Sequence, residues 1–229
     1  MEVSKITAKS PGRFDLHVHS SCSDGHDDVK TILRHAVKCG LDGIAITDHD
    51  TMQGSVAARK IINDLKLDIV LIPGAEVTTS EGHLLVLGVS DLPRKGMSPE
   101  ETVDVAHDFG GIGVVPHPYH PFRHAIGRIP KCDAVEVYNS KHLFGIANAR
   151  AFIGARKRGL PMVAGSDSHF AKTVGLGVTE IDAEDGDDAI QAICRGYTRI
   201  IGKRTPPRYF IGNTFQAIYL EIRKGIKSI

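Results

Sequence analysis

Histidine and acidic residues recur along this sequence in short clusters, each close behind an apolar run that could form a strand. The candidate ligands are His17, His19, Asp24, His49, Glu76, His83, His117, Asp167 and His169. Neutral imidazoles and carboxylates bind Zn, Mn and Fe ions, and one ion cannot use nine such groups. The sequence therefore predicts a site for several metal ions, with metal-activated hydrolysis as the first functional hypothesis.

Short apolar strands alternating with amphipathic helices must position these side chains. The predicted strands are 14–19, 43–47, 69–72, 75–78, 83–89, 112–115, 134–138, 162–164, 178–181 and 197–201, and the predicted helices are 28–39, 52–65, 99–108, 142–158, 187–195 and 214–224. The order implies a parallel sheet with helices outside it, in which 83–89 pairs with 75–78 across the turn at 80–82. Since every cluster is expected at the C-terminal end of its strand, a barrel is favoured over an open sheet.

The composition sets limits on location and partners. The 229 residues carry 28 Lys and Arg against 27 Asp and Glu, and the four cysteines form no paired motif. A net charge near zero gives no general attraction to nucleic acid or anionic membranes. The N-terminal segment lacks a secretory pattern, and no apolar run approaches the length of a membrane span. We therefore expect a cytoplasmic protein with one domain over 1–229, reduced thiols, no membrane association and no obligate protein partner.

Five motifs, in order between Phe14 and Ile181, resemble the polymerase and histidinol phosphatase (PHP) family. They are DLHVHSSCSDG, GLDGIAITDHD, PGAEVTTSEGHLLVLG, PHP and GSDSH. The resemblance implies a distorted (β/α)7 TIM-like barrel, on which the helix at 214–224 would pack. It also implies a metal-dependent phosphoric ester hydrolase, acting on a small phosphorylated metabolite, a nucleotide or a short oligonucleotide.

The resemblance also assigns the ligands to two to three divalent transition metal ions (Zn, Mn or Fe). In the family pattern, one ion is bound by His17, His19, Glu76 and Asp167, a second by Glu76, His83 and His117, and a third by Asp24, His49 and His169. Glu76 would bridge two ions, and a hydroxide between them would attack phosphorus. Glu76 and Asp167 are therefore the expected catalytic carboxylates.

Several polar residues near the expected rim complete the prediction. Arg123 is a candidate catalytic and substrate-binding residue, and Arg128 and Lys172 are candidate phosphate contacts, since cations recognise phosphate oxygens. Residues expected to support the ligands are Asp15, Asp48, Asp50 and Asn139, with Asp48 or Asp50 accepting from His49. His35 is interpreted as an ordinary helix-surface residue.

Two alternative functions remain open from the sequence. One is a metal-dependent hydrolase of C–N or C–O bonds on a similar barrel. The other is a non-catalytic, metal-bound module that serves a partner. The complete ligand set disfavours the second alternative, because structural metal sites seldom need several ions with open positions.

Overall fold

A single twisted sheet curves into a nearly closed barrel in the computed structural model, which describes residues 10–121, 125–142 and 145–209. Arg123 and the predicted helix 214–224 lie outside the described residues. The strands are β1 (Gly12–Val18), β2 (Gly43–Ile46), β3 (Val70–Thr78), β4 (His83–Leu87), β5 (Ile112–Val115), β6 (Ala134–Asn139), β7 (Met162–Gly165), β8 (Gly177–Ile181) and β9 (Thr198–Gly202). The helices are α1 (Val29–Lys38), α2 (Gln53–Leu65), α3 (Pro99–Asp108), α4 (Ile146–Arg158) and α5 (Gly186–Cys194), with a short 3-10 helix over Ala171–Thr173.

The strand order is β7-β6-β5-β4-β3-β2-β1-β8-β9. Strands β1 to β3 are parallel, as are β5 to β7, but β4 runs antiparallel to both of its neighbours and β8 runs antiparallel to β1 and β9. The predicted TIM-like barrel is confirmed, and so is the predicted pairing of 83–89 with 75–78 across a tight turn, whereas the expectation of a parallel sheet is wrong at β8. A 3-10 segment precedes β8, in place of the crossover helix that a parallel strand would need.

The barrel closes along a seam between β1 and β7, where side chains and backbone groups replace a continuous ladder. The Ser166 N–H donates to Asp15 Oδ1 at 2.9 Å, and the His19 N–H donates to the Ser168 carbonyl at 2.8 Å. A Cβ on Gly165 would lie 2.4 Å from the Cβ of His17. This seam therefore depends on a glycine that lets the two strands approach.

The core consists of one cluster inside the barrel and several that pack helices against strands. One cluster receives buried side chains from β1 through β8, including Leu16, Ile72 and Leu85, so it fills the barrel, and α5 packs against it. A second cluster packs α1 and α2 onto β1 and β2. Val18 belongs to this outer cluster although Leu16 faces inward, and the pairing of β1 with β2 shifts register between Asp15 and Val18. The alternation of inward-facing and outward-facing side chains therefore breaks before the end of β1, the strand that carries His17.

Helix termini follow local capping chemistry, with one correction to the prediction. Helix α3 begins with a capping box between Ser98 and Glu101. Helix α1 is capped by Asp28, whose side chain accepts from the Thr31 N–H. Helix α4 begins only at Ile146, so His142 lies in the preceding loop, where it is buried. The spacing of apolar residues therefore predicted a helix start about one turn too early.

Candidate metal centre

The nine predicted ligands converge at one end of the barrel. They form four overlapping groups whose ligand atoms lie within 4.8 Å of one another: His19, Asp24, His49 and His169; His17, His19 and Asp167; His17, Glu76 and His117; and His49, Glu76 and His83. Most of these side chains are buried, and Asp24 is the most exposed, at 39%. The sequence therefore identified the members of the cluster, whereas their division among ions stays a prediction.

His83 reaches the cluster from a strand that runs antiparallel to both of its neighbours. It is the first residue of β4, and its Cα pairs with Thr78 at the end of β3. Because β4 is antiparallel, its N-terminal end lies at the same barrel edge as the C-terminal ends of the parallel strands. The expectation that every ligand follows a strand is therefore wrong for His83.

Glu76 lies at the centre of the cluster, and its two oxygens face different imidazoles. Its Oε1 lies 3.2 Å from both His83 Nδ1 and His117 Nε2. Its Oε2 lies 3.3 Å from His17 Nε2, 3.2 Å from His19 Nε2 and 3.4 Å from His49 Nδ1. A carboxylate with ligands grouped around each oxygen has the geometry needed to bridge two cations.

Two features of the cluster suit bound metal ions. His17 Nε2 and His19 Nε2 lie 3.1 Å apart, and two ring nitrogens at that distance need a proton or a cation between them. Within the described ranges, His19 Nδ1 and His117 Nδ1 are buried without a hydrogen-bond partner. Buried polar atoms are rarely left in this state unless they bind something.

The electrostatics of the cluster favour added positive charge. Burial acts to lower the pKa of His17, but the carboxylates of Glu136, Glu76 and Asp167 raise it well above its usual value. Burial acts to raise the pKa of Glu76, but His49 and His17 hold it well below its usual value. For His19, burial and the charge of His169 lower the pKa. The carboxylates thus stay ionised and attract a cation, while part of the imidazole set stays neutral, as ligands must be.

Glu136 is a functional residue that the sequence interpretation missed. Its carboxylate, buried in β6, lies 3.0 Å from His17 Nδ1 and accepts from the His117 N–H and Asn139 Nδ2, both at 2.9 Å. A carboxylate only accepts, so it fixes the proton on His17 Nδ1 and leaves Nε2 facing the cluster. An acid between Val135 and Val137 in a buried strand was the pattern that could have revealed it.

Lys141 also contacts the cluster directly. Only 4% of its side chain is exposed, and Nζ lies 3.2 Å from Asp167 Oδ1 and 2.8 Å from His169 Nδ1. Both contacts are to predicted metal ligands, so the ammonium would compete with an ion at those atoms. Asn139, predicted to support the site, donates to Asp167 Oδ2 at 3.1 Å.

The three aspartates expected to support imidazoles instead stabilise loops. Asp15 accepts from the backbone of Ser166 and Gly175 across the seam, and burial raises the pKa of its carboxyl to about 6. Asp48 accepts from Ser20 and Ser23, while Asp50 accepts from Thr78. The ring of His49 faces Glu76 and Asp24 instead. Carboxylates flanking a ligand were therefore poor predictors of its partner.

Among the described residues, two of the four non-glycine residues with a left-handed φ are predicted ligands. His117 has a φ of 31° and Asp167 a φ of 51°, both in the left-handed region that non-glycine residues seldom adopt. Such conformations cost about 1–3 kcal/mol each and occur where surrounding structure enforces them. Here they turn the chain at the ends of β5 and β7, so that both side chains point into the cluster.

The described candidates for substrate contact, Arg128 and Lys172, are exposed, whereas most of the predicted ligands are buried. The guanidinium of Arg128 is paired with Glu81 at 2.7 Å and with Glu100 at 2.9 Å, so it would have to exchange partners to bind phosphate. Lys172 is exposed on the 3-10 helix that follows the His169 segment. The roles of Arg123, Arg128 and Lys172 stay predictions.

Comparison with known proteins agrees with the site geometry. A family model for a PHP-associated region (PHP_C) matches residues 145–198. The uncharacterized protein MJ1587 of Methanocaldococcus jannaschii is 36% identical over 150 residues, which is 59% of this chain and 86% of that protein. The chain belongs to the PHP family.

Two further PHP relatives extend the comparison. The 5′-3′ exoribonuclease Rnm of Salmonella typhimurium is 42% identical over 80 residues, or 33% of this chain but only 27% of the exoribonuclease. A two-domain protein from Bacteroides vulgatus, described as containing a predicted PHP-like metal-dependent phosphoesterase, superposes with a TM-score of 0.70 at 21% identity. That alignment covers 84% of this chain and 65% of the other, and it shows the shared fold.

Proposed function

We propose that this PHP-family protein is a metal-dependent phosphoesterase that hydrolyses a phosphate ester of a small metabolite, a nucleotide or a short oligonucleotide. The observation that carries the proposal is Glu76, whose two oxygens each face separate imidazoles within 3.4 Å. That arrangement supports a site for more than one cation. The named PHP relative, an exoribonuclease, acts on a phosphodiester, which supports phosphate esters as the substrate class.

The residues would hold two to three divalent ions in the arrangement predicted from the motifs. His17, His19 and Asp167 would bind one ion together with Glu76, His83 and His117 would bind a second on the other Glu76 oxygen, and Asp24, His49 and His169 would bind the third. When bound, such ions supply Lewis acidity, which activates water and offsets negative charge on phosphoryl oxygens. The donor set of imidazoles and carboxylates suits Zn, Mn or Fe.

The remaining residues prepare the site for an anionic substrate. Glu136 holds the proton of His17 on Nδ1, so that Nε2 presents its lone pair to the cluster. Asn139 orients both Glu136 and Asp167 through its amide. Lys141 places a buried positive charge beside Asp167 and His169, which adds to the attraction for phosphate.

Location and partners follow the same proposal. Within the described part of the chain, no helix is long and apolar enough to cross a membrane. The described cysteines Cys22, Cys39, Cys132 and Cys194 are all free thiols, which supports the proposed cytoplasmic location. The proposed partner is the phosphorylated substrate itself.

The proposal is tested by metal reconstitution and a substrate screen. Protein stripped with a chelator and reloaded with Zn, Mn or Fe should bind two to three ions per chain by elemental analysis. It should hydrolyse at least one compound from a panel of phosphomonoesters, nucleotides and short oligonucleotides. Turnover of cyclic amides without any phosphate ester would instead establish a C–N hydrolase. Stable metal binding without turnover of either panel would establish the non-catalytic module.

Glu76→Gln is the matched test of the bridge. A neutral amide cannot neutralise two cations, so the variant should lose at least one ion and reduce kcat/KM by about 100-fold or more, beyond the 10–100-fold typical of groups behind the ligands. His107→Gln is the control, because His107 pairs with Asp133 on the exposed face of α3. Wild-type metal content and kinetics in Glu76→Gln would refute the assigned role.

A further inference from the structure

A second concave site lies beside the metal cluster, outside the nine ligands. A cavity of about 480 Å³ opens between α1 and the segment that follows β7. We name it the α1 pocket; Arg34, Lys38, Lys172, His26 and Phe170 are the lining residues on which its chemistry depends. Its wall continues into the cluster, because the His26 N–H donates to the carbonyl of the ligand His169 at 2.7 Å.

The α1 pocket is cationic, although the whole chain has a net charge of only +1. Arg34, Lys38 and Lys172 contribute three permanent positive charges to its lining. Among the described lining residues the only carboxylate is Asp27, and it is already engaged by the Ala171 N–H at 2.8 Å. Such an excess of positive charge in a concavity attracts an anionic ligand.

His35, interpreted from the sequence as an ordinary surface residue, also lines the α1 pocket. It is half-buried there, and burial together with the charge of Lys38 lowers the pKa of its imidazole. A neutral ring at this position adds a flat surface and a hydrogen-bonding nitrogen without changing the charge. The pocket is therefore more elaborate than a solvated patch of lysines.

Aromatic rings line the same cavity. The ring of Phe170 stacks on His26 with centroids 5.2 Å apart and planes 26° apart, and it lies 5.5 Å from the ring of Tyr209. Cations that follow a backbone, interleaved with aromatic faces that accept bases, are the combination by which proteins bind single-stranded nucleic acids. An inorganic anion would use the cations but not the rings.

We propose that the α1 pocket binds one nucleotide unit of a single-stranded oligonucleotide whose reacting phosphate lies at the metal cluster. The base stacks against Phe170, and the phosphate contacts Arg34, Lys38 and Lys172. This inference rests on the proposed function, because it makes the pocket an extension of that site. Phe170 directly follows the ligand His169 and His26 lies two residues after the ligand Asp24, so both sites share one wall.

Binding of a fluorescent, phosphorothioate-linked tetranucleotide to the metal-loaded protein tests the pocket, with affinity measured across a range of salt concentrations. Arg34→Ala/Lys38→Ala should weaken binding and reduce the slope of log K against log salt by about 1.4, because each of the two removed cations accounts for about 0.7 of the slope on a single strand. Arg59→Ala/Lys60→Ala on α2 is the control, since it removes the same charge from an exposed helix face elsewhere.

Phe170→Leu tests stacking separately from charge. Leucine keeps apolar bulk at the position but provides no aromatic face, so the tetranucleotide should bind about 5- to 150-fold more weakly with the salt slope unchanged. Hydrolysis of a small phosphomonoester, which engages only the metal cluster, should be equal in wild type and in Arg34→Ala/Lys38→Ala. Circular dichroism and metal content confirm that each variant is folded.

Several results would overturn the inference. One is that Arg34→Ala/Lys38→Ala and Arg59→Ala/Lys60→Ala bind the tetranucleotide with the same affinity and the same salt dependence. Another is that Phe170→Leu binds the tetranucleotide as tightly as wild type. A phosphotyrosine peptide that depends on the same residues while the tetranucleotide does not would assign the pocket to peptides. If a small phosphomonoester is still hydrolysed in these cases, the proposed function stands while the pocket fails. Pocket-dependent binding without any hydrolysis would instead support the pocket and refute the proposed function.

Discussion

Replacing Glu136 by glutamine tests how the protein orients its ligand histidines. The carboxylate receives three N–H groups in a buried position: His17 Nδ1 at 3.0 Å, and the His117 N–H and Asn139 Nδ2 at 2.9 Å each. Glutamine keeps the shape of the side chain but turns one acceptor oxygen into a donor. Its single oxygen can accept either from His17 or from His117 and Asn139, so one of these two sets of hydrogen bonds is lost.

The two orientations of the amide have different costs. With its NH2 towards His117 and Asn139, two buried donors lose their acceptor, at about 1–3 kcal/mol each, or about 2–6 kcal/mol of stability in total. With its NH2 towards His17, the imidazole must accept at Nδ1 and carry its proton on Nε2, which then cannot bind a cation. The second orientation is the less costly for folding. We therefore expect a folded protein whose metal affinity is about 10- to 100-fold lower.

The assay is a competition titration against a chromophoric chelator, with thermal unfolding of the chelator-treated protein in parallel. Glu180→Gln is the control, because Glu180 is also a strand glutamate but pairs with Arg199 on β9. The control should keep wild-type metal affinity. If Glu136→Gln binds metal as tightly as wild type and unfolds at the same temperature, the carboxylate does not set the tautomer of His17.

Two other predictions concern groups near and far from the cluster. Lys141→Met should bind the most weakly held ion about 10- to 150-fold more tightly in the same titration. The substitution removes charge-assisted contacts worth about 1.5–3 kcal/mol, which frees Asp167 and His169 for the ion. Equal or weaker binding would show that the ammonium of Lys141 does not compete with the ion. Burial raises the pKa of Cys132 to about 12 from 9.0. Its thiolate fraction at pH 8 should thus be about 1000-fold lower than in the unfolded chain, and labelling followed by mass spectrometry should be slower by that factor. Equal labelling rates for native and denatured protein would show that burial does not suppress the thiolate.

The sequence was most informative where a residue's chemistry is unusual for its surroundings. Histidines and acids at strand ends have few structural reasons to be there, so the nine residues stood out in the sequence. The structure brings their side chains together, and their role as metal ligands stays a prediction. The alternation of strands and helices indicated an α/β sheet, and the placement of the clusters at strand ends favoured a barrel over an open sheet. The pairing of β4 with β3 was predicted from the short turn before His83, because such a turn cannot support a parallel crossover.

The supporting residues were harder to predict because their roles depend on three-dimensional partners. The position of Glu136 between two valines of a buried strand indicates that the acid is unusual, but only its contact with His17 shows which ligand it orients. Asp48 and Asp50 are adjacent to a ligand in sequence, yet their oxygens are used by loop backbone and hydroxyl groups. The position of Lys141 depends on where α4 begins, and a periodic apolar pattern does not fix a helix terminus to within a turn.

The seam between β1 and β7 has a consequence for how the protein folds. It joins Ser166 to Asp15 across 151 positions of sequence, whereas the hairpin that carries Glu76 and His83 is local. The local hairpin can form early, but closing so long a loop carries a large entropic cost and comes late. His17 and His19 lie on one side of this seam and Asp167 on the other. A cation shared between them would act on the unfolding rate much as a disulfide does, and chelation would open the barrel first along this line.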